Sequence, residues 1–138
     1  MTQLSLPPFA DMFGITLGPC TQDEIIGYLT VGAAHANRNG VMHGGAIMAF
    51  ADVLGGTAAS YNLGDGQDTT TIESKTNFLR PVALGETVTG RSAPLHRGGK
   101  THVWQTTILR ADGKPAAITT QTQLVFTWDG PSSQNPSA

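Results

Sequence analysis

Gly44–Ser60, GGAIMAFADVLGGTAAS, decides the architecture. Ile47, Met48, Phe50, Val53 and Leu54 are spread around every side of a helical wheel, with alanines between them. A helix apolar on all faces is expected to be a buried one. Asp52 is its only charge. An ionised carboxylate among apolar neighbours is costly unless it is paired or hydrogen-bonded. Asp52 must therefore face a cleft or have dedicated partners. The plainer reading is a structural aspartate bonded to a neighbouring group.

Just upstream stands His43-Gly44-Gly45. Glycine at a helix start lets a ligand approach the backbone closely. The first-turn N–H groups are unpaired and carry the positive end of the helix dipole. Such a terminus suits a carbonyl oxygen gaining negative charge. The plainer reading of Gly-Gly is a tight turn into the helix. Taken with Asp52, however, it supplies the parts needed to hydrolyse an ester or thioester. Gly44 and Asp52 are eight positions apart, ~12 Å along a helix axis. One small carbonyl cannot touch both when they belong to one chain. If both act on one substrate, the site joins two chains, and a symmetric dimer carries two such sites.

The flanks define the rest. Ala33–Met42 (AAHANRNGVM) is too rich in Asn and Gly for regular structure and reads as a loop. Pro7–Phe13 reads as a short helix with Pro near its start, and Glu24–Val31 as a strand. Beyond a turn at Leu63–Asp68, strands are expected at Thr69–Leu79, Glu86–His96, Thr101–Arg110 and Pro115–Thr127. Asp112-Gly113 between the last two is a hairpin signal. Long strands with short connections and one apolar helix give an α+β domain, a mostly antiparallel sheet wrapped around that helix. The domain is expected over residues 1–128, with 129–138 (DGPSSQNPSA) a disordered polar tail.

Composition narrows the function classes. The 138 residues suit one domain. No apolar run approaches the ~20 residues that span a bilayer, and the N-terminus lacks a signal-peptide pattern. A single cysteine, Cys20, fits a reducing, cytoplasmic setting. The net charge of −2 does not favour nucleic-acid binding. Met1–Ser74 holds seven acidic residues and one basic, and Lys75–Ala138 seven basic and three acidic. That asymmetry reads either as ordinary surface charge or as a C-terminal half that meets an anionic ligand. There is no Gly-x-Ser-x-Gly elbow and no phosphate loop. The four histidines and one cysteine make a poor metal-ligand set, so neither a metal nor a cofactor is expected.

Asn37–Ser60, NRNGVMHGGAIMAFADVLGGTAAS, resembles the signature of hotdog-fold acyl-CoA thioesterases, in particular the phenylacetate-pathway and hydroxybenzoyl-CoA types: His-Gly-Gly, then a carboxylate nine positions after the His. The resemblance continues through NFLRPVALGE (Asn77–Glu86), RGGKT (Arg97–Thr101) and the last strand. It implies an acyl-CoA thioesterase of the hotdog fold acting on an aromatic or medium-chain acyl group. In that reading Asp52 is nucleophile or general base and the Gly44 N–H polarises the thioester carbonyl. Asn37 orients the carbonyl or the water, and Thr71 helps hold the water. His43, Gly45 and Met48 would line the substrate site, with Arg80, Arg97 and Lys100 as candidates for the CoA phosphates. One departure is Gly56, where the hydroxybenzoyl-CoA enzyme carries a threonine one helical turn after its carboxylate; that role passes to Thr71 or is lost. The family assembles as homodimers pairing into homotetramers. The alternative is a non-catalytic acyl-CoA binder, against which the Asn37, Gly44 and Asp52 set argues. A hotdog dehydratase is disfavoured because its motifs are missing.

Overall fold

The structure, a computed structural model, describes residues 4–130. Most of the expected tail, 131–138, and the first three residues lie outside the described residues. In chain order the elements are α1 (Pro8–Phe13), β1 (Thr16–Cys20), β2 (Ile25–Thr30), a 3-10 turn (Ala33–His35), α2 (Gly44–Tyr61), β3 (Gln67–Phe78), β4 (Thr87–Arg97), β5 (Thr101–Leu109) and β6 (Pro115–Thr127). The strands form one antiparallel six-stranded sheet, ordered β1-β2-β4-β5-β6-β3, with β3 on an edge.

The α+β arrangement expected from the sequence is present, and five of the six strands lie where their alternation placed them. β1 is the element the sequence left unassigned. Its residues, TLGPC, carry a Gly and a Pro that are poor strand formers, and it pairs only with β2, through an irregular register.

α2 lies across one face of the sheet and packs against β2 to β6. Close approach is made possible by Gly27 on β2 and Gly90 on β4, which face each other in the register. A Cβ on either would collide with Leu54, and one on Gly90 would also crowd Phe50. Phe50, Leu54, Ile25, Leu29, Trp104 and Ile108 are fully buried there. Truncating one of these large side chains to alanine costs ~2–5 kcal/mol.

One expectation is corrected. α2 is not enclosed on every side within the chain. Ala46, Ile47, Phe50, Ala51, Leu54, Gly55, Ala58 and Ala59 are buried against the sheet, while Gly45, Met48 and Asp52 are exposed. Spaced three and four apart, these three residues form one stripe. The sequence gives an all-round apolar helix because this stripe is itself free of charge except at Asp52.

Candidate active site

Asp52 sits midway along α2, on the open stripe, so in one chain the carboxylate is exposed rather than buried. It nonetheless has dedicated partners. Oδ1 accepts a hydrogen bond from Thr71 Oγ1 on β3 at 3.0 Å and one from Gln121 Nε2 on β6 at 3.2 Å. Thr71 owes its aim to a bulge in β3. The register with β6 slips between Thr71, opposite Gln123, and Glu73, opposite Thr122. A bulge bends its strand and redirects side chains. Gln123 Nε2 in turn donates to Thr71 Oγ1 at 2.7 Å. Gln121 and Gln123 are each 1% exposed. The sequence reading named Asp52 and Thr71 and missed both glutamines.

Gly44 opens the helix, as expected. His43 is the N-cap residue, and its Nδ1 accepts from the Gly45 N–H at 2.8 Å. The N–H groups of Ala46 and Ile47 donate to the His43 carbonyl. Among the described residues, none accepts from the Gly44 N–H. His43 is thus a cap in this structure, and Gly44 presents a free donor. Phe78 walls that donor on one side: a Cβ at Gly44 would lie 3.3 Å from its ring.

Asn37 is held at the same end of α2. Its N–H donates to the Val41 carbonyl at 2.6 Å, Ala36 bridges Met42, and the His43 N–H donates to the His35 carbonyl at 2.8 Å. Its side-chain Oδ1 accepts from the Arg38 N–H at 2.9 Å and the residue is exposed. His35 is a structural anchor of this loop, its Nδ1 accepting from the Gly32 N–H and its Nε2 donating to the Phe13 carbonyl. Gly44 and Asn37 therefore stand at one end of the helix, and Asp52 with Thr71 in the middle, ~12 Å away.

Arg80, Arg97 and Lys100 do not form one cluster. Arg80 donates to the Pro115 carbonyl, and Pro115 pairs with Leu109 at the end of β5. Arg97 pairs with His102 at the start of β5, next to Lys100. The two ends are ~25 Å apart. Arg80 shares the Gly44 end. Arg97 is already committed, to Asp23 at 2.9 Å, to the Gln22 carbonyl and to Asn62 Oδ1. Arg91 likewise binds Glu24 at 2.8 Å. Part of the charge asymmetry between the halves is thus internal pairing, acids of the first half with cations of the second. Among the described residues, no three His, Cys, Asp or Glu side chains gather as a metal site would require.

Residues 39–117 match the sequence profile of the Thioesterase superfamily. This chain belongs to that family. Solved structures agree with the hotdog fold. This superfamily member is 29% identical to thioesterase HI1161 of Haemophilus influenzae, with a TM-score of 0.83, covering 88% of this chain and 85% of that one. It is 26% identical to thioesterase PA1618 of Pseudomonas aeruginosa, with a TM-score of 0.83 over 87% and 86% of the two chains. It is 25% identical to smu.793 of Streptococcus mutans UA159, a structure bound to acetyl CoA, with a TM-score of 0.77 over 82% and 89%. Among the described residues of this superfamily member, no helix is long and apolar enough to cross a membrane.

Proposed function

We propose that this thioesterase hydrolyses an acyl-CoA thioester to the free acid and CoA, at a site shared between two chains, with Asp52 as nucleophile or general base. The observation that carries the proposal is the state of two positions on one helix, its start and its middle. Asp52 Oδ1 is held by two donors, leaving Oδ2 on the open stripe, and the Gly44 N–H is unspent. The acetyl CoA bound by the Streptococcus mutans neighbour supports the ligand class.

The dimer follows from the spacing. In two antiparallel helices related by a two-fold axis, facing positions have a constant sum. Gly44 facing the partner's Asp52 makes that sum 96, which puts Met48 on the axis opposite its own copy. Met48 is 39% exposed and on the same stripe. The edge strand β3 beside it exposes Ile72 and Phe78, and Leu79 just beyond it is exposed too, apolar surface that a second copy would cover. Two such dimers would form the homotetramer.

The thioester carbonyl accepts from the Gly44 N–H and is oriented by Asn37. Charge builds on its oxygen in the transition state, where a preorganised donor is worth ~3 kcal/mol. Oδ2 of the other chain's Asp52 attacks the carbonyl carbon, or takes a proton from a water that does. The C–S bond breaks, and the CoA thiolate leaves without needing a strong acid; where Asp52 is the nucleophile, water then hydrolyses the acyl-aspartyl anhydride, releasing the free acid and restoring the carboxylate. Met48 and Gly45 line the acyl side, for an aromatic or medium-chain group. Arg80, at the Gly44 end, and Lys100, whose side chain has no partner among the described residues, are freer to meet phosphates than Arg97, which is tied to Asp23. A single partly buried thiol, Cys20, suits a cytoplasmic enzyme.

The test is thiol release from aromatic and aliphatic acyl-CoAs by the native protein and by Asp52→Asn. Sustained release that Asp52→Asn abolishes is the expected result. CoA binding without release from any substrate would leave the non-catalytic binder instead.

A further inference from the structure

Behind the exposed carboxylate lies a buried polar layer, of which the mechanism above uses only the two bonds that end on Asp52. On the sheet face under α2, β6 presents Ala117, Thr119, Gln121, Gln123 and Val125, all buried. A core strand would normally carry apolar side chains in the middle of that row. Gln121 is unusual even so. Its Oε1 is buried and has no hydrogen-bond partner among the described residues. An unsatisfied buried acceptor lowers stability, and a leucine or methionine of similar size would remove that penalty. Such a side chain calls for a reason other than stability, and its other end supplies one, since Nε2 donates to Asp52.

The direction of the hydrogen bonds can be followed atom by atom. Gln123 Nε2 donates to Thr71 Oγ1 at 2.7 Å. The Thr71 hydroxyl therefore spends an acceptor lone pair inward and has its proton left for Asp52 Oδ1, at 3.0 Å. On the far side, Thr69 Oγ1 shares its proton between the Leu124 carbonyl at 2.9 Å and Gln123 Oε1 at 3.2 Å, which fixes how the Gln123 amide is turned. Every bond in the chain points toward the carboxylate. Both terminal donors, Thr71 and Gln121, land on the same oxygen, Oδ1. None of the described residues donates to Oδ2. Turning the carboxylate would break two charge-assisted bonds at once.

We infer that Gln121 is a positioning residue for Asp52, acting with the Gln123–Thr71 pair to pin Oδ1 against the sheet and so to present Oδ2 as the reactive oxygen. This rests on the reading of Asp52 as the reacting carboxylate. Gln121 itself is buried and touches no substrate. It acts through Asp52, by holding Oδ2 in the attacking orientation, so its effect is felt on the way to the transition state rather than in substrate binding.

The experiment is a double-mutant cycle in acyl-CoA hydrolysis. Gln121→Met keeps the length and removes the donor. It is expected to lower kcat about 10- to 100-fold, the size of one hydrogen bond to a charged group, with KM within about twofold. Placed in Asp52→Asn, the same change is expected to have no further effect on the residual rate, because residues acting as a unit are not additive. Native kcat in Gln121→Met, or a loss that multiplies with that of Asp52→Asn, would overturn this inference while leaving the thioesterase reading in place. Full activity in Asp52→Asn would overturn both. Should Gln121→Met fail to give a cooperative thermal transition, Gln123→Met serves, with the same expected dependence on Asp52 and the same overturning outcomes.

Discussion

Gly55 on α2 and Gln121 on β6 occupy adjoining space with no room between them: a Cβ on Gly55 would overlap the carboxamide of Gln121. Gln121 is 1% exposed and has nowhere to swing. Gly55→Ala should therefore drive the amide off Asp52, and kcat should fall by about tenfold or more, in line with losing that one hydrogen bond. Stability should fall by up to ~2 kcal/mol, because overpacking costs ~1–3 kcal/mol and alanine regains ~1 kcal/mol of helix propensity. Gly56 is the control for stability. A Cβ there meets nothing within 4 Å, so Gly56→Ala should raise the melting temperature by the propensity gain alone. A native kcat in Gly55→Ala would mean that the packing of Gln121 and its hydrogen bond are independent of turnover.

The proposed two-fold at Met48 is open to a geometric test. In a Cys20→Ser background, Met48→Cys should cross-link efficiently through a short bismaleimide, giving a dimer band on a denaturing gel. Ser60→Cys should not. It lies twelve residues along α2 from position 48, so its copy would be ~36 Å away. Cross-linking at position 60 but not at 48 would place the axis elsewhere and separate Gly44 from the partner's Asp52.

His43 divides two roles cleanly. Its Nδ1 caps the Gly45 N–H, and that is a job serine or asparagine performs well. His43→Ala should lower stability by ~1 kcal/mol, read from urea unfolding. His43→Asn should restore most of that loss and keep kcat within a few-fold. A collapse of kcat in His43→Asn, with stability intact, would show the imidazole to be a participant in the chemistry.

What could be read in advance follows from how strongly each pattern constrains the chain. α2 was legible as a helix from its long apolar run of Ala, Ile, Phe and Leu around a single charge, and its Gly-Gly start marked the boundary, but which side packs on the sheet was not. Pro115–Thr127 was legible as a strand from its β-branched residues and the Asp112-Gly113 turn, where Gly113 adopts φ 80°. Which face of that strand is inward was not legible. From Thr119 to Gln123 both alternating sets are polar, Thr119, Gln121 and Gln123 against Thr120 and Thr122, so a period of two has no apolar side to announce. Only the register with β3 and the missing side chain at Gly55 turn the glutamines toward Asp52. Asp52 and Thr71 could be named from resemblance, but the bulge that brings them together is a property of pairing between distant strands. The exposed stripe was hidden for a different reason. The stripe carries no charge except Asp52, so its composition cannot be told from that of a core, and the proposed contact with a second chain would account for this.

His102 gives the fold an acid sensitivity of its own. It is 6% exposed, on β5 opposite Arg97. Burial, and then the positive charges of Arg97 and His96, push its imidazole below the ordinary histidine value of 6.5. The folded protein therefore holds His102 neutral where the unfolded chain would protonate it. In the window from about 6.5 downward to the lowered value the unfolded state binds more protons, so stability rises with pH and is lost as pH falls. The melting temperature should decline between pH 7.5 and 5, and His102→Gln should flatten part of that decline. The two proteins differ at this one residue, so the difference between the two curves isolates it. Arg97→Gln should remove only its part of the smaller, electrostatic share and leave the share due to burial. Parallel curves for native and His102→Gln would show instead that His102 protonates equally in the folded and unfolded states.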